Sequence, residues 1–158
     1  INKFDYLIMS DVIEHLFDPE LFMNNLYKSI KTIDTVLIIT TPNVANFFIR
    51  IMLLFGRFNY GKSGILDKTH TRLFTLHSIK KLLQESNFHI MKDQGIPIPF
   101  PLIIKNKFIS NLLIKINKLF INISKKLFSF QFMLVCKINP SLDYLLNYAE
   151  IDNKKINE

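Results

Sequence analysis

Ser10, Asp11, Glu14 and His15 follow directly on the apolar run Tyr6-Leu7-Ile8-Met9. Polar and ionisable groups are costly to bury without partners, so their density at this point marks a candidate working site. An imidazole titrates near neutrality and can take a proton from a hydroxyl. A second group, Asp67, His70 and Arg72, lies in the stretch 56–74 and places acid, imidazole and guanidinium within six residues. His77 and His89 fall beside or inside regular elements and read as structural. Cys136, inside an apolar run, reads as a buried small hydrophobe.

These residues need elements to position them. Tyr6 to Met9 reads as a strand covered on both faces, as in a parallel sheet. Ligands of such sheets bind beyond the carboxyl ends of the strands. Asp18-Pro19-Glu20 is a helix start: Asp18 caps the free amides, Pro19 fits the first helical position, and Glu20 suits the positive end of the dipole. Leu21, Phe22, Asn25, Leu26 and Ile30 give the predicted helical face. Val36 to Ile39 is a second strand, ended by Thr40-Thr41-Pro42-Asn43. Strand, helix, strand makes a β-α-β unit.

Val44 to Phe55 is a predicted helix, and 56–74 an irregular loop of the length used for lids and binding loops. Thr75 caps a helix from Leu76 to about Asn87, with Ile79, Leu82 and Leu83 inward, and Phe88 to Gln94 is a strand. Alternate prolines at 97, 99 and 101 exclude a central strand there. From Phe108 to Leu127 apolar residues recur at three- and four-residue spacing, with lysines on the other side: an amphipathic helix. Phe130 to Ile138 is the last strand.

The chain has 158 residues, 49% hydrophobic and 21% charged, enough for one domain with a core and too apolar for a disordered segment. A single cysteine excludes an internal disulfide and fits a reducing, cytoplasmic setting. The net charge of +7 sits in one place. Between Gly95 and Leu142 there are seven lysines, no arginine and no acid, while the remainder balances. Without arginine and interleaved aromatic platforms, this segment is not read as a nucleic-acid surface.

The string Asp11-x-x-Glu14-His15-Leu16-x-Asp18-Pro19 resembles one found in class I S-adenosylmethionine-dependent methyltransferases, where it ends the fourth strand. Thr41-Pro42-Asn43, the loop from Tyr60 to Thr75, Asn87-Phe88 and the strand 132–137 follow in the same order. The resemblance covers about 4–140. It implies an α/β fold: the C-terminal half of a Rossmann-like sheet, strands four to seven, the last antiparallel between its neighbours, with flanking helices. It divides the chain into a partial methyltransferase domain, 1–140, and a polar tail, 141–158. The glycine-rich loop and the ribose-binding acid of the family would lie upstream. The chain alone is therefore expected to bind S-adenosylmethionine poorly or not at all.

The resemblance also implies roles. Ser10 and Asp11 would meet the cofactor, largely through main chain. His15 and His70 are the candidate general bases, and Glu14, Asn43, Asp67 and Arg72 would face a small-molecule or lipid-like acceptor. Ubiquinone-pathway O-methyltransferases with this string use the equivalent acids and histidine to help hold a divalent metal. Asp11, Glu14 and His15 match those positions, but no metal site is assigned from the sequence. Gly56-x-x-x-x-Gly61-Lys62-Ser63 satisfies the P-loop expression, yet Gly64 follows at once and no convincing helix opens there, so it is read as part of the methyltransferase loop. The 108–127 helix is expected to pack its apolar stripe on the sheet. The alternative is a peripheral membrane contact through 102–127. The rival to an enzyme is a non-catalytic, truncated or degenerate module packing on a partner or membrane.

Overall fold

The computed structural model describes residues 4–30 and 34–140. The stretch 141–158, read above as a polar tail, lies outside the described residues.

Among the described residues four strands form one sheet: β1 (Tyr6–Ser10), β2 (Val36–Pro42), β3 (Phe88–Ile96) and β4 (Gln131–Ile138), in the order β1-β2-β4-β3. β1 and β2 are parallel, with Ile8 opposite Ile38. β4 lies antiparallel between β2 and β3, as the family resemblance implied. Among the described residues six helices accompany them: α1 (Pro19–Ser29), α2 (Phe47–Leu54), α3 (Leu76–Glu85), the single-turn α4 (Phe100–Ile103), α5 (Lys107–Ile123) and the short α6 (Lys125–Phe128).

Local chemistry fixes the helix ends. The Asp18 carboxylate accepts from the Leu21 amide at 2.8 Å, with Pro19 in the first turn. Thr75 and Ser78 form a reciprocal capping box at the start of α3. Asn87, at φ 63°, takes the left-handed position after α3 and turns the chain into β3.

The core lies on one face of the sheet. Leu37, Ile39, Phe132, Leu134 and Cys136 pack there with Met23 of α1 and Ile79, Leu82 and Leu83 of α3. The packed residues of α1 and its C-cap are Met23, Leu26, Tyr27 and Ile30, whereas Leu21 is 58% exposed, so the predicted helical face is rotated. Among the described residues no helix covers the other sheet face. Tyr6 and Ile8 are 64% and 68% exposed, and Val36, Ile38, Met133 and Val135 are only half-buried. The expectation that β1 is covered on both faces is therefore corrected: it buries Met9 and half-buries Leu7 on one side only.

A second correction concerns α5. Its inward residues are Ser110, Asn117 and Ile121, and Asn117 holds two backbone groups, accepting from the Ile98 amide (2.9 Å) and donating to the Phe128 carbonyl (3.1 Å). The apolar stripe faces away from the sheet. Gly95 of β3 permits this seating, because a Cβ there would lie 2.0 Å from Ser129 Oγ and 2.8 Å from an Ile121 methyl.

Candidate functional site

The site begins where β1 ends. Asp11 adopts φ 52°, a left-handed conformation that Asp tolerates better than most residues. Its carboxylate accepts from Thr40 Oγ1 and from Gln131 Nε2, both at 3.0 Å, while its amide donates to Thr40 Oγ1 at 3.0 Å. The Ser10 and Thr40 hydroxyls are 3.2 Å apart. Side chains from the tips of β1, β2 and β4 thus fix this turn.

A single 3-10 turn, Ile13–His15, then carries Glu14 inward. Glu14 is 1% exposed, and neither carboxylate oxygen has a hydrogen-bond partner among the described residues. Burial raises its carboxyl above the ordinary value, and the charge of Asp11 acts in the same direction.

The loop 56–74 docks on this turn. The Thr71 and Arg72 amides donate to the Glu14 carbonyl at 2.9 and 3.0 Å, and Thr71 Oγ1 donates to the Leu16 carbonyl at 2.7 Å. Ile65 and Leu66 anchor the loop in a small second cluster beside Ile49. His70 thereby comes beside His15, ring centroids 4.9 Å apart and edge to face at 68°. His15 Nδ1 lies 3.0 Å from the Thr69 carbonyl, and His70 Nδ1 lies 2.9 Å from the Ile65 carbonyl. A carbonyl only accepts, so each Nδ1 carries the proton. In the neutral ring each Nε2 keeps its lone pair. Donor atoms of Glu14, His15 and His70 all lie within 4.8 Å of one another. This grouping could hold a metal ion, a possibility to which the sequence reading assigned no site. Asp11, already held by Thr40 and Gln131, is not part of it.

Asp11, Glu14, His15, Asp67 and His70 line one cleft of about 580 Å³, with Pro42, Ile98 and Phe130 as its apolar wall. Asp67 accepts from the Thr69 amide and hydroxyl, both at 2.8 Å, and these bonds hold its carboxyl below the usual range. Three predicted site residues go elsewhere. Ser10 does not line the cleft. Asn43 is fully buried: its amide donates to the Lys126 and Ser129 carbonyls and its oxygen accepts from the Ala45 amide, so its bonding capacity is used inside the protein. Arg72 pairs with Glu20 at 2.5 Å on the surface, beside a separate small cavity. Neither Asn43 nor Arg72, both expected to face the acceptor, lines the cleft.

Sequence reasoning missed Thr40 and Gln131, which hold Asp11, and the Thr69 and Ile65 carbonyls, which set the imidazole tautomers. Thr40 had a signal as a polar residue at a strand tip; Gln131 had none. The P-loop expression at 56–63 is disposed of by its neighbours. It follows helix α2 rather than a strand, and Gly61 bridges to Asp67 with no helix beginning at Lys62-Ser63.

A family model described as a methyltransferase domain matches residues 2–92, more than half the chain and the whole of this cleft's β1 and loop walls. The chain belongs to the methyltransferase domain family. Solved methyltransferases share its fold. A SAM-dependent methyltransferase from Archaeoglobus fulgidus superposes with a TM-score of 0.52 at 19% identity, covering 86% of this chain and 60% of that one. The small RNA methyltransferase HEN1 superposes with a TM-score of 0.52 at 13% identity, covering 87% of this chain and 14% of that one. At such identities the likeness is one of fold. The methyltransferase chain thus spans three-fifths of the archaeal protein's length. No curated protein matches it in sequence.

Proposed function

We propose that this chain forms the acceptor side of an S-adenosylmethionine-dependent methyltransferase domain, and that the complete domain methylates a hydroxyl oxygen of a small-molecule or lipid-like acceptor. Residues 1–140 would be the C-terminal half of that domain, with the main cofactor cradle on the part that completes the sheet. The share of the archaeal neighbour covered and the bare face of β1 support this division.

The observation that carries the reading is the pair of imidazoles whose Nδ1 atoms are committed to carbonyls, beside a buried and unpartnered Glu14. When bound, S-adenosylmethionine supplies an activated methyl sulfonium. The residues present fit one end of it: Asp11 lines the cleft at the strand tip, and Pro42 and Phe130 give apolar wall. The chain's own work is to seat the acceptor hydroxyl and remove its proton. With the methyl donor bound, Nε2 of His15 or His70 would take that proton as the methyl group passes from sulfur to the acceptor oxygen. The Thr69 and Ile65 carbonyls hold the imidazoles in the accepting tautomer, and positioning supplies most of the remaining rate.

In the complete enzyme, His15→Ala or His70→Ala should lower turnover by about 10²- to 10⁴-fold. The dissociation constant for S-adenosylmethionine, measured by calorimetry, should change by no more than a few-fold. Unchanged turnover removes the residue concerned from the mechanism. A second reading is favoured by the convergence of three donor atoms within 4.8 Å: the same trio holds a divalent cation that binds the acceptor oxygen. Activity lost in chelator and restored by manganese or zinc, ions that suit an imidazole-carboxylate donor set, would select it; activity indifferent to chelator leaves the imidazoles as bases.

A further inference from the structure

Among the described residues the apolar stripe of α5 has no partner. At about 100° per residue, Phe108, Ile109, Leu112, Ile116, Leu119 and Ile123 fall on one continuous arc, and all are exposed, Phe108 by 79% and Ile123 by 72%. Lys107, Lys115 and Lys118 fall on the next arc with Asn111 and Asn122, and the buried residues Ser110, Asn117 and Ile121 complete the circle. A helix that turns polar residues inward and a broad apolar arc outward, with lysines along its margin, has the layout of an interfacial helix.

The patch continues beyond α5. Phe120, Phe128, Phe47 and Phe48 form a chain of ring contacts, at 5.0, 5.8 and 5.8 Å, that joins α5 through α6 to α2. The end of α2 then presents Leu54, and the residue after it Phe55, at 77% and 73% exposure. No described helix is long and apolar enough to cross a membrane.

We infer that the face formed by α2, α5 and α6 rests on the surface of an anionic lipid bilayer. Charge selects this occupant. No acid occurs between Gly95 and Leu142, and among the described residues Lys105, Lys107, Lys115, Lys118 and Lys126 make no ion pair. A second copy docked on the same face would bring these lysines together without counter-charge, whereas anionic headgroups would neutralise them. A route inward supports the assignment. An apolar cavity of about 440 Å³ lies against Phe48, Met52, Phe100 and Ile103, and shares Ile98, Ile103 and Phe130 with the cleft of Glu14 and His70. The face therefore adjoins the site by a path suited to an acyl or prenyl chain.

Co-sedimentation of the intact protein with vesicles tests this directly, with no activity required. Vesicles of phosphatidylcholine with phosphatidylglycerol should bind it at low salt, more weakly at high salt, and better than pure phosphatidylcholine. Lys115→Gln with Lys118→Gln should weaken binding more than tenfold, at about 1 kcal/mol per lysine. Leu112→Glu with Leu119→Glu should abolish it, with circular dichroism unchanged, since both leucines are exposed. Negligible binding to both vesicle types overturns the inference, as does binding that neither double variant reduces. A dimer in sedimentation velocity that Leu119→Glu dissociates would assign the face to a second copy instead.

Discussion

Two backbone carbonyls decide what His15 and His70 can do. With Nδ1 committed to Thr69 and Ile65, each neutral imidazole has one free nitrogen with its lone pair available, for a proton or for a cation. Asp11 differs: its left-handed backbone and its bonds to Thr40 and Gln131 make it a rigid turn residue at the cleft wall. Cys136 illustrates the opposite outcome for a reactive residue type. It is fully buried in β4, and burial pushes its thiol up to about 12, so the nucleophilic thiolate is scarce at neutral pH. Iodoacetamide should leave it unmodified in the native protein and label it fully in denaturant, as read by intact mass. Rapid native labelling would contradict its placement in the core. His15 and His70 could be singled out from the sequence because both sit next to polar neighbours in unusual density. Their pairing could not, because 55 residues separate them and only the docking of Thr71 and Arg72 on the Glu14 carbonyl brings them together.

Asp93 couples elements rather than chemistry. Its carboxylate on β3 receives ion pairs from Lys80 of α3 and Lys125 of α6, and is itself largely buried. Burial pushes its carboxyl up, but the hydrogen bonds from Lys125 and Lys80 outweigh that and leave it below the ordinary value of 3.8. The sign follows: the folded state favours the ionised form, so the stabilisation is present above 3.8 and is lost as pH falls through the lowered value. Asp93→Asn should destabilise the protein by about 1–2 kcal/mol near neutrality, measured by urea unfolding, and the gap to the parent should close in acid. A gap of constant size through the acid range would show that the pairs are not the cause. Helix positions and caps were legible in the sequence because they depend on local signals such as Asp18-Pro19 and Thr75, whereas strand order came from the family resemblance alone. Orientation was not legible. The periodicity of 108–127 defines an apolar stripe, but whether it packs depends on Asn117, whose two backbone partners at Ile98 and Phe128 turn the stripe outward. The same limit rotated α1 onto Met23 and left β1 covered on one face.

At the scale of the molecule, the two edges of the sheet are managed differently. The β3 edge carries a bulge between Ile90 and Lys92, an exposed lysine and the Asp93 ion pairs, all of which oppose pairing with another chain. The β1 edge has no bulge, and its outer face shows Tyr6 and Ile8 beside the half-buried Val36, Ile38 and Val135. Ile8, Ile38 and Val135 stand in register across three strands, so the bare surface is a continuous apolar row. Such a row with an open edge is a template for another strand or sheet. In the proposed complete domain, the part that supplies the cofactor cradle would cover it. The 158-residue chain by itself should therefore associate as concentration rises, in sedimentation velocity. Ile8→Lys, which puts a charge in the middle of the row, should shift that association to higher concentration by tenfold or more. It should leave the core unaltered, since Ile8 is 68% exposed. A chain that stays monomeric at high concentration, or associates equally with Lys at position 8, would show that this face is not a docking surface. The division of the domain proposed here would then lose its structural support.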